Sequence, residues 1–93
     1  MGMEYAIRFA APEPAIVATA LRRLPMVRQL SPEASGFEIR ADASTSGMPD
    51  ASLHAEPYGV YFCDNGGRGR EFLGIVVALL VSEFGPVTVE DLE

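Results

Sequence analysis

The sequence predicts an α+β fold: a single-domain, two-layer sandwich in which an antiparallel sheet of about five to six strands carries two helices on one face. Three observations predict it. Alternating strand patterns and helical stripes follow one another in the order β-α-β-β-β-β-α-β. Amphipathic elements need a second layer to cover their apolar sides, and two such layers close a core. The chain has 93 residues, 48% hydrophobic and 22% charged, which is ordinary for a globular protein and too short to divide into two useful cores.

Residues 3 to 10 form the first strand, with Tyr5, Ile7 and Phe9 on one face and Glu4, Ala6 and Arg8 on the other. Pro12-Glu13-Pro14 opens a helix, because a proline in the first turn lacks only a donor that would be unpaired there. Ile16, Val17, Ala20, Leu21 and Leu24 make its stripe, Arg22 and Arg23 fall in its last turn, and Pro25 ends it. Met26 to Leu30 and Phe37 to Ala41 read as a strand pair joined by the turn-rich segment 31–36. Asp42 to Ala51 carries almost no apolar side chain and is predicted to be a flexible loop.

Leu53 to Glu56 and Val60 to Asp64 flank Pro57-Tyr58-Gly59, whose composition suits a three-residue hairpin loop. In that register Glu56 faces Val60 and His54 faces Phe62. Leu53, Ala55, Tyr61 and Cys63 then share one face, so His54 and Cys63 point to opposite faces and no Cys-His dyad is expected. Glu38, Glu56 and Asp64 could share a sheet face, where alternating charges on a solvated surface account for them. Val87 to Glu90 is a short last strand with acidic residues at its end, which discourage edge-to-edge association.

Glu71 to Phe84 is the most apolar segment. Phe72 through Val81 contains no charged residue, and Gly85-Pro86 gives a sharp exit. At about 100° per residue, Phe72, Leu73, Val76, Val77, Leu80 and Phe84 form a broad core face, while Gly74, Ala78 and Ser82 lie opposite. That outer stripe is small instead of charged, and Ile75 and Val81 border it. Small residues admit close approach of another helix, either the first helix or one from a second chain. Gly74, Ile75, Ala78, Val81 and Ser82 are therefore the candidate partner-binding residues.

The entrance to this helix, Asp64-Asn65-Gly66-Gly67-Arg68-Gly69-Arg70, joins a strand to a helix N-terminus. Asn65, Gly66, Gly67, Arg68 and Arg70 form a candidate anion site, since glycines let backbone donors turn toward a ligand and arginine is a forked donor for phosphate or carboxylate. The bland alternative is a flexible connection whose arginines pair with Asp64, Glu71 or another carboxylate. The spacing is neither a dinucleotide fingerprint nor a P-loop.

The remaining composition excludes chemistries. Net charge is −6, a field that repels phosphate backbones, so nucleic-acid binding is not expected. All seven basic residues are arginine, and the absence of lysine removes Schiff-base and lysine-base catalysis. One histidine and one cysteine do not make a metal site, and no cofactor motif is present. The apolar run is about half of the roughly 20 residues needed to cross a bilayer, so no membrane span is expected. The N-terminal strand pattern is not a secretory signal, and cytoplasmic residence is the expectation.

No catalytic residues are assigned. The function these features predict is that of a small acidic module that binds a protein partner, itself included, without catalysis. The alternative is a small anionic-ligand binder or enzyme using residues 64–71.

Overall fold

A computed structural model of the chain describes residues 3–24, 27–29, 36–40, 49–66 and 69–92. The elements are β1 (Met3–Arg8), α1 (Pro14–Leu21), β2 (Val27–Gln29), β3 (Gly36–Ile39), β4 (Ala51–Glu56), β5 (Gly59–Asp64), α2 (Gly69–Phe84) and β6 (Thr88–Asp91). The predicted α+β order is present. All strand pairs are antiparallel, in a six-stranded sheet of order β2-β3-β4-β5-β1-β6.

Strand alternation sets the two faces of this sheet. Tyr5, Phe62, Leu53 and Phe37 form one cross-strand row, and Ile7, Val60 and Ala55 the next. These side chains meet Val17 and Leu21 of α1 and Phe72, Val76 and Leu80 of α2 in one buried cluster. Both helices therefore cover the same face. Burying each of these large apolar side chains contributes about 1.5–3 kcal/mol before entropy is counted. On the other face lie Glu4, Ala6, Arg8, Glu38, Ser52, His54, Glu56, Tyr61 and Cys63, by the same register.

The β4-β5 hairpin differs from the sequence expectation. Glu56 faces Gly59, Ala55 faces Val60 and His54 faces Tyr61, so the loop has two residues, Pro57 and Tyr58, instead of three. The shift of one residue exchanges the faces of one strand relative to the other. Leu53 and Ala55 share the core face with Val60 and Phe62, and Tyr61 and Cys63 join His54 outside. Gly59 is the physical reason. It takes φ +144 against β1, where any Cβ would overlap the Ile7 carbonyl oxygen and press on the Phe9 ring.

Other boundaries shift more modestly. α1 begins at Pro14 and ends at Leu21, with Arg22 as its C-cap, so neither arginine lies in the last helical turn. β4 starts at Ala51, which is fully buried opposite Asp64, so the predicted loop stops short of that residue. Residues 41–48 of that loop lie outside the described residues, as do 31–35 between β2 and β3. Asp64 shares the core-face row of Ala51 and Met3, which separates it from Glu38 and Glu56 on the outer face.

Candidate functional site

α2 runs two residues further toward the N-terminus than its apolar pattern. Gly85, at φ +90, closes it by donating to the Val81 carbonyl at 3.0 Å. Its inner side buries Gly69, Phe72, Val76 and Leu80, while Leu73, Val77, Leu79 and Phe84 are partly buried against the core. Phe84 stacks on Phe9 with ring centroids 5.2 Å apart, which ties the helix end to the segment after β1.

The other side of α2 stays open. Gly74, Ile75, Ala78, Val81 and Ser82 are all exposed, Ile75 at 41% and Val81 at 45%. α1 does not cover them; it meets the C-terminal end of α2. Ile16, Thr19, Ala20 and Arg23 of the α1 region and Glu83 and Phe84 of α2 line an open cleft of about 290 Å³, which an Arg23–Glu83 ion pair spans. Of the two covers that the sequence admits for the small stripe, the first helix is thus occupied elsewhere. Gly74 adds a second peculiarity. It has no positive φ, and a Cβ there would meet nothing within 4 Å, so neither the backbone nor the interior of this chain requires a glycine in mid-helix.

At the entrance to α2 the amide donors of Asn65, Gly66 and Gly69 are used within the chain. The Asp64 carboxylate accepts from the Gly66 amide at 2.8 Å and lies directly against the Cα of Gly69. A carboxylate is favourable at a helix start, and Asp64 supplies one from inside the protein. Asn65 binds the segment that leads into β4: its backbone amide donates to the Asp50 carbonyl at 3.0 Å, and its side-chain amide donates to the Pro49 carbonyl at 3.1 Å. Gly66 adopts φ +101 with open space around it, so its glycine serves the turn. Arg70 is exposed, and Gly67 and Arg68 lie outside the described residues.

The outer sheet face carries the polar side chains that sequence reasoning had distributed differently. The Tyr61 hydroxyl donates to the Glu4 carboxylate at 2.6 Å, and this hydrogen bond, followed by burial, pushes the phenol well above its ordinary range. The His54 ring leans on Tyr61 with centroids 6.3 Å apart and lies over Gly36, where a Cβ would crowd it. Although His54 and Cys63 share this face, the Cys63 thiol donates to the Asn65 side-chain oxygen at 3.2 Å. Among the described residues, no group of three or more His, Cys, Asp or Glu side chains is placed to hold a metal ion. No helix of the described residues is long and apolar enough to cross a membrane.

Arg8 braces one end of the sheet. It pairs with Glu90 of β6 at 3.0 Å and lies 4.7 Å from the centroid of the Tyr58 ring in the hairpin turn. This cross-sheet contact needed the strand order, which local sequence does not contain.

The fold defines the class: one compact α+β domain with a single-faced helical layer. Comparison with protein families, with curated proteins and with solved structures finds no match.

Proposed function

We propose that this protein is a small acidic, non-catalytic binding module whose contact surface is the outer side of α2. The observation that supports this most is the conjunction of Gly74 with the exposed Ile75, Ala78, Val81 and Ser82. A glycine in a helix interior costs about 0.5–1 kcal/mol relative to alanine. Among the described residues nothing compensates for that cost, whereas a partner approaching the helix backbone closely would. Two half-exposed aliphatic side chains beside it provide the apolar contact that surface patches of this kind reserve for partners.

The partner is a protein, and self-association is included in this reading. The net charge of −6 disfavours nucleic acid, and the expected setting is the cytoplasm, where a lone cysteine needs no disulfide. Quantitative capture from the native lysate tests the proposal. Wild-type protein should retain at least one stoichiometric protein, a second copy included, that an Ile75→Asp/Val81→Asp variant loses while remaining folded. Equal retention by both would remove α2 from the account.

A further inference from the structure

We propose that Asn65 is a deamidation site that the fold holds shut, through the contacts tying its side chain to Pro49 and Cys63. Asn65 is the only asparagine in the chain, and a glycine follows it. Asparagine is a thermolabile residue, and this pair is the one most open to attack by the chain on itself. Glycine has no side chain to hinder its own amide nitrogen, and its backbone bends freely toward the residue before it. A base takes the proton from the Gly66 amide, and the nitrogen attacks Cγ of Asn65. The N–Cγ bond forms, the Cγ–Nδ2 bond breaks, and ammonia leaves with the proton that the base removed. Water then opens the resulting five-membered imide. Breaking the new N–Cγ bond gives aspartate; breaking the original peptide bond gives isoaspartate, which is one carbon longer in the main chain. Nothing is oxidised or reduced, and water is the only co-reactant.

The polar groups of this reaction are all engaged in the folded chain. The Gly66 N–H donates to the Asp64 carboxylate at 2.8 Å. Asn65 Nδ2 donates to the Pro49 carbonyl at 3.1 Å and reaches the Ser52 hydroxyl at 3.5 Å, while Oδ1 accepts from the Cys63 thiol at 3.2 Å. A carbonyl oxygen only accepts, so the Pro49 contact fixes which end of the carboxamide is nitrogen. The main chain is tied at the same point, where the Asn65 N–H donates to the Asp50 carbonyl at 3.0 Å. Ring closure requires the carboxamide to leave these partners and turn onto the Gly66 nitrogen, whose proton must leave Asp64. The junction between β5 and α2 must therefore open locally, and the folded rate is the free-chain rate scaled by the fraction of time it is open. The product keeps it open. A carboxylate at this position has no donor for the Pro49 carbonyl and stands one residue from the Asp64 carboxylate, and isoaspartate also lengthens the connection. An opening that ends in reaction is thus recorded as an added negative charge at the entrance to α2.

Mass spectrometry of the full chain tests this, incubated at physiological temperature and mildly alkaline pH in native buffer and in guanidinium chloride. Intact mass follows conversion of amide to acid, and peptide mapping separates Asn65 from Gln29. The denatured chain should convert at Asn65 at least about tenfold faster than the folded protein. Cys63→Ala, which removes the donor to Oδ1, should raise the folded rate at least about threefold and leave the denatured rate unchanged. Asn65→Asp reproduces one product. Its amides at 65 and 66 should exchange hydrogen at least about tenfold faster than in wild type, while those of the buried Leu53 and Phe62 keep their protection. Equal folded and denatured rates overturn the inference, as does a denatured chain that converts only at Gln29. A Cys63→Ala protein that converts no faster than wild type when folded, or Asn65→Asp with wild-type exchange at 65 and 66, overturns it equally.

Discussion

Three residues carry much of what is distinctive in this chain, and two are glycines with opposite reasons. Gly59 is required by the fold, since its φ of +144 and the Ile7 carbonyl opposite leave no place for a Cβ. Gly59→Ala should therefore destabilise by about 1–3 kcal/mol, the usual cost of a strained backbone, read from denaturant midpoints. Gly74→Ala, with open space and ordinary helical backbone, should stabilise the monomer by about 0.5–1 kcal/mol and weaken association in the same preparation. The third residue is Tyr61. Its hydrogen bond to Glu4 raises the phenol above the unfolded value of 10.0, so the stability it contributes is complete below that pH and is lost as pH rises through the higher folded value. Tyr58, also raised, chiefly by burial, acts in the same direction. Stability should fall as pH rises above 10.0, and Tyr61→Phe should fall less over the same range. An equal decline in both proteins would remove the Tyr61–Glu4 bond from the explanation. The roles of Gly59 and Tyr61 were not legible locally: Pro57-Tyr58-Gly59 accommodates more than one loop length, and the Ile7 carbonyl that constrains Gly59 arrives from a strand about fifty residues earlier.

At the scale of elements, α2 was the most legible because its periodicity is strong. The inner residues Phe72, Val76 and Leu80 are buried and the outer Gly74, Ala78 and Ser82 exposed, as helical spacing requires. Its start was less legible, because the Gly69 position depends on the Asp64 carboxylate packed against it, a contact of tertiary origin. The two sides should respond differently to truncation. Leu80→Ala is expected to cost about 2–5 kcal/mol through loss of burial and a residual cavity. Val81→Ala, one position along and exposed, should change monomer stability by no more than about 0.5 kcal/mol. Comparable losses from both would mean that the outer side is already covered within one chain. β6 is the opposite case. Every residue in it is exposed, and Arg8–Glu90 joins it to β1 through side chains that are each 50% exposed. A double-mutant cycle on that pair should return less than about 1 kcal/mol, falling with added salt.

For the whole molecule, the layer arrangement followed from the order of amphipathic segments, while the hairpin faces and the strand order β2-β3-β4-β5-β1-β6 required contacts between distant parts of the chain. The candidate surface on α2 was visible as a run of small residues without charge. What sequence could not show is that α1, which lines a cleft with Glu83 and Phe84 at the far end of that helix, leaves the run open. The isoleucines supply internal standards for the central claim. Ile7 and Ile39 are fully buried, Ile16 is 52% exposed and Ile75 41% exposed in the single chain. Paramagnetic relaxation by a soluble probe, measured on methyl-labelled isoleucines in concentrated native lysate, reports directly whether α2 is covered. The account predicts that Ile75 becomes protected to nearly the level of Ile7 and Ile39 while Ile16 remains open; an Ile75 methyl relaxed as strongly as that of Ile16 would contradict it.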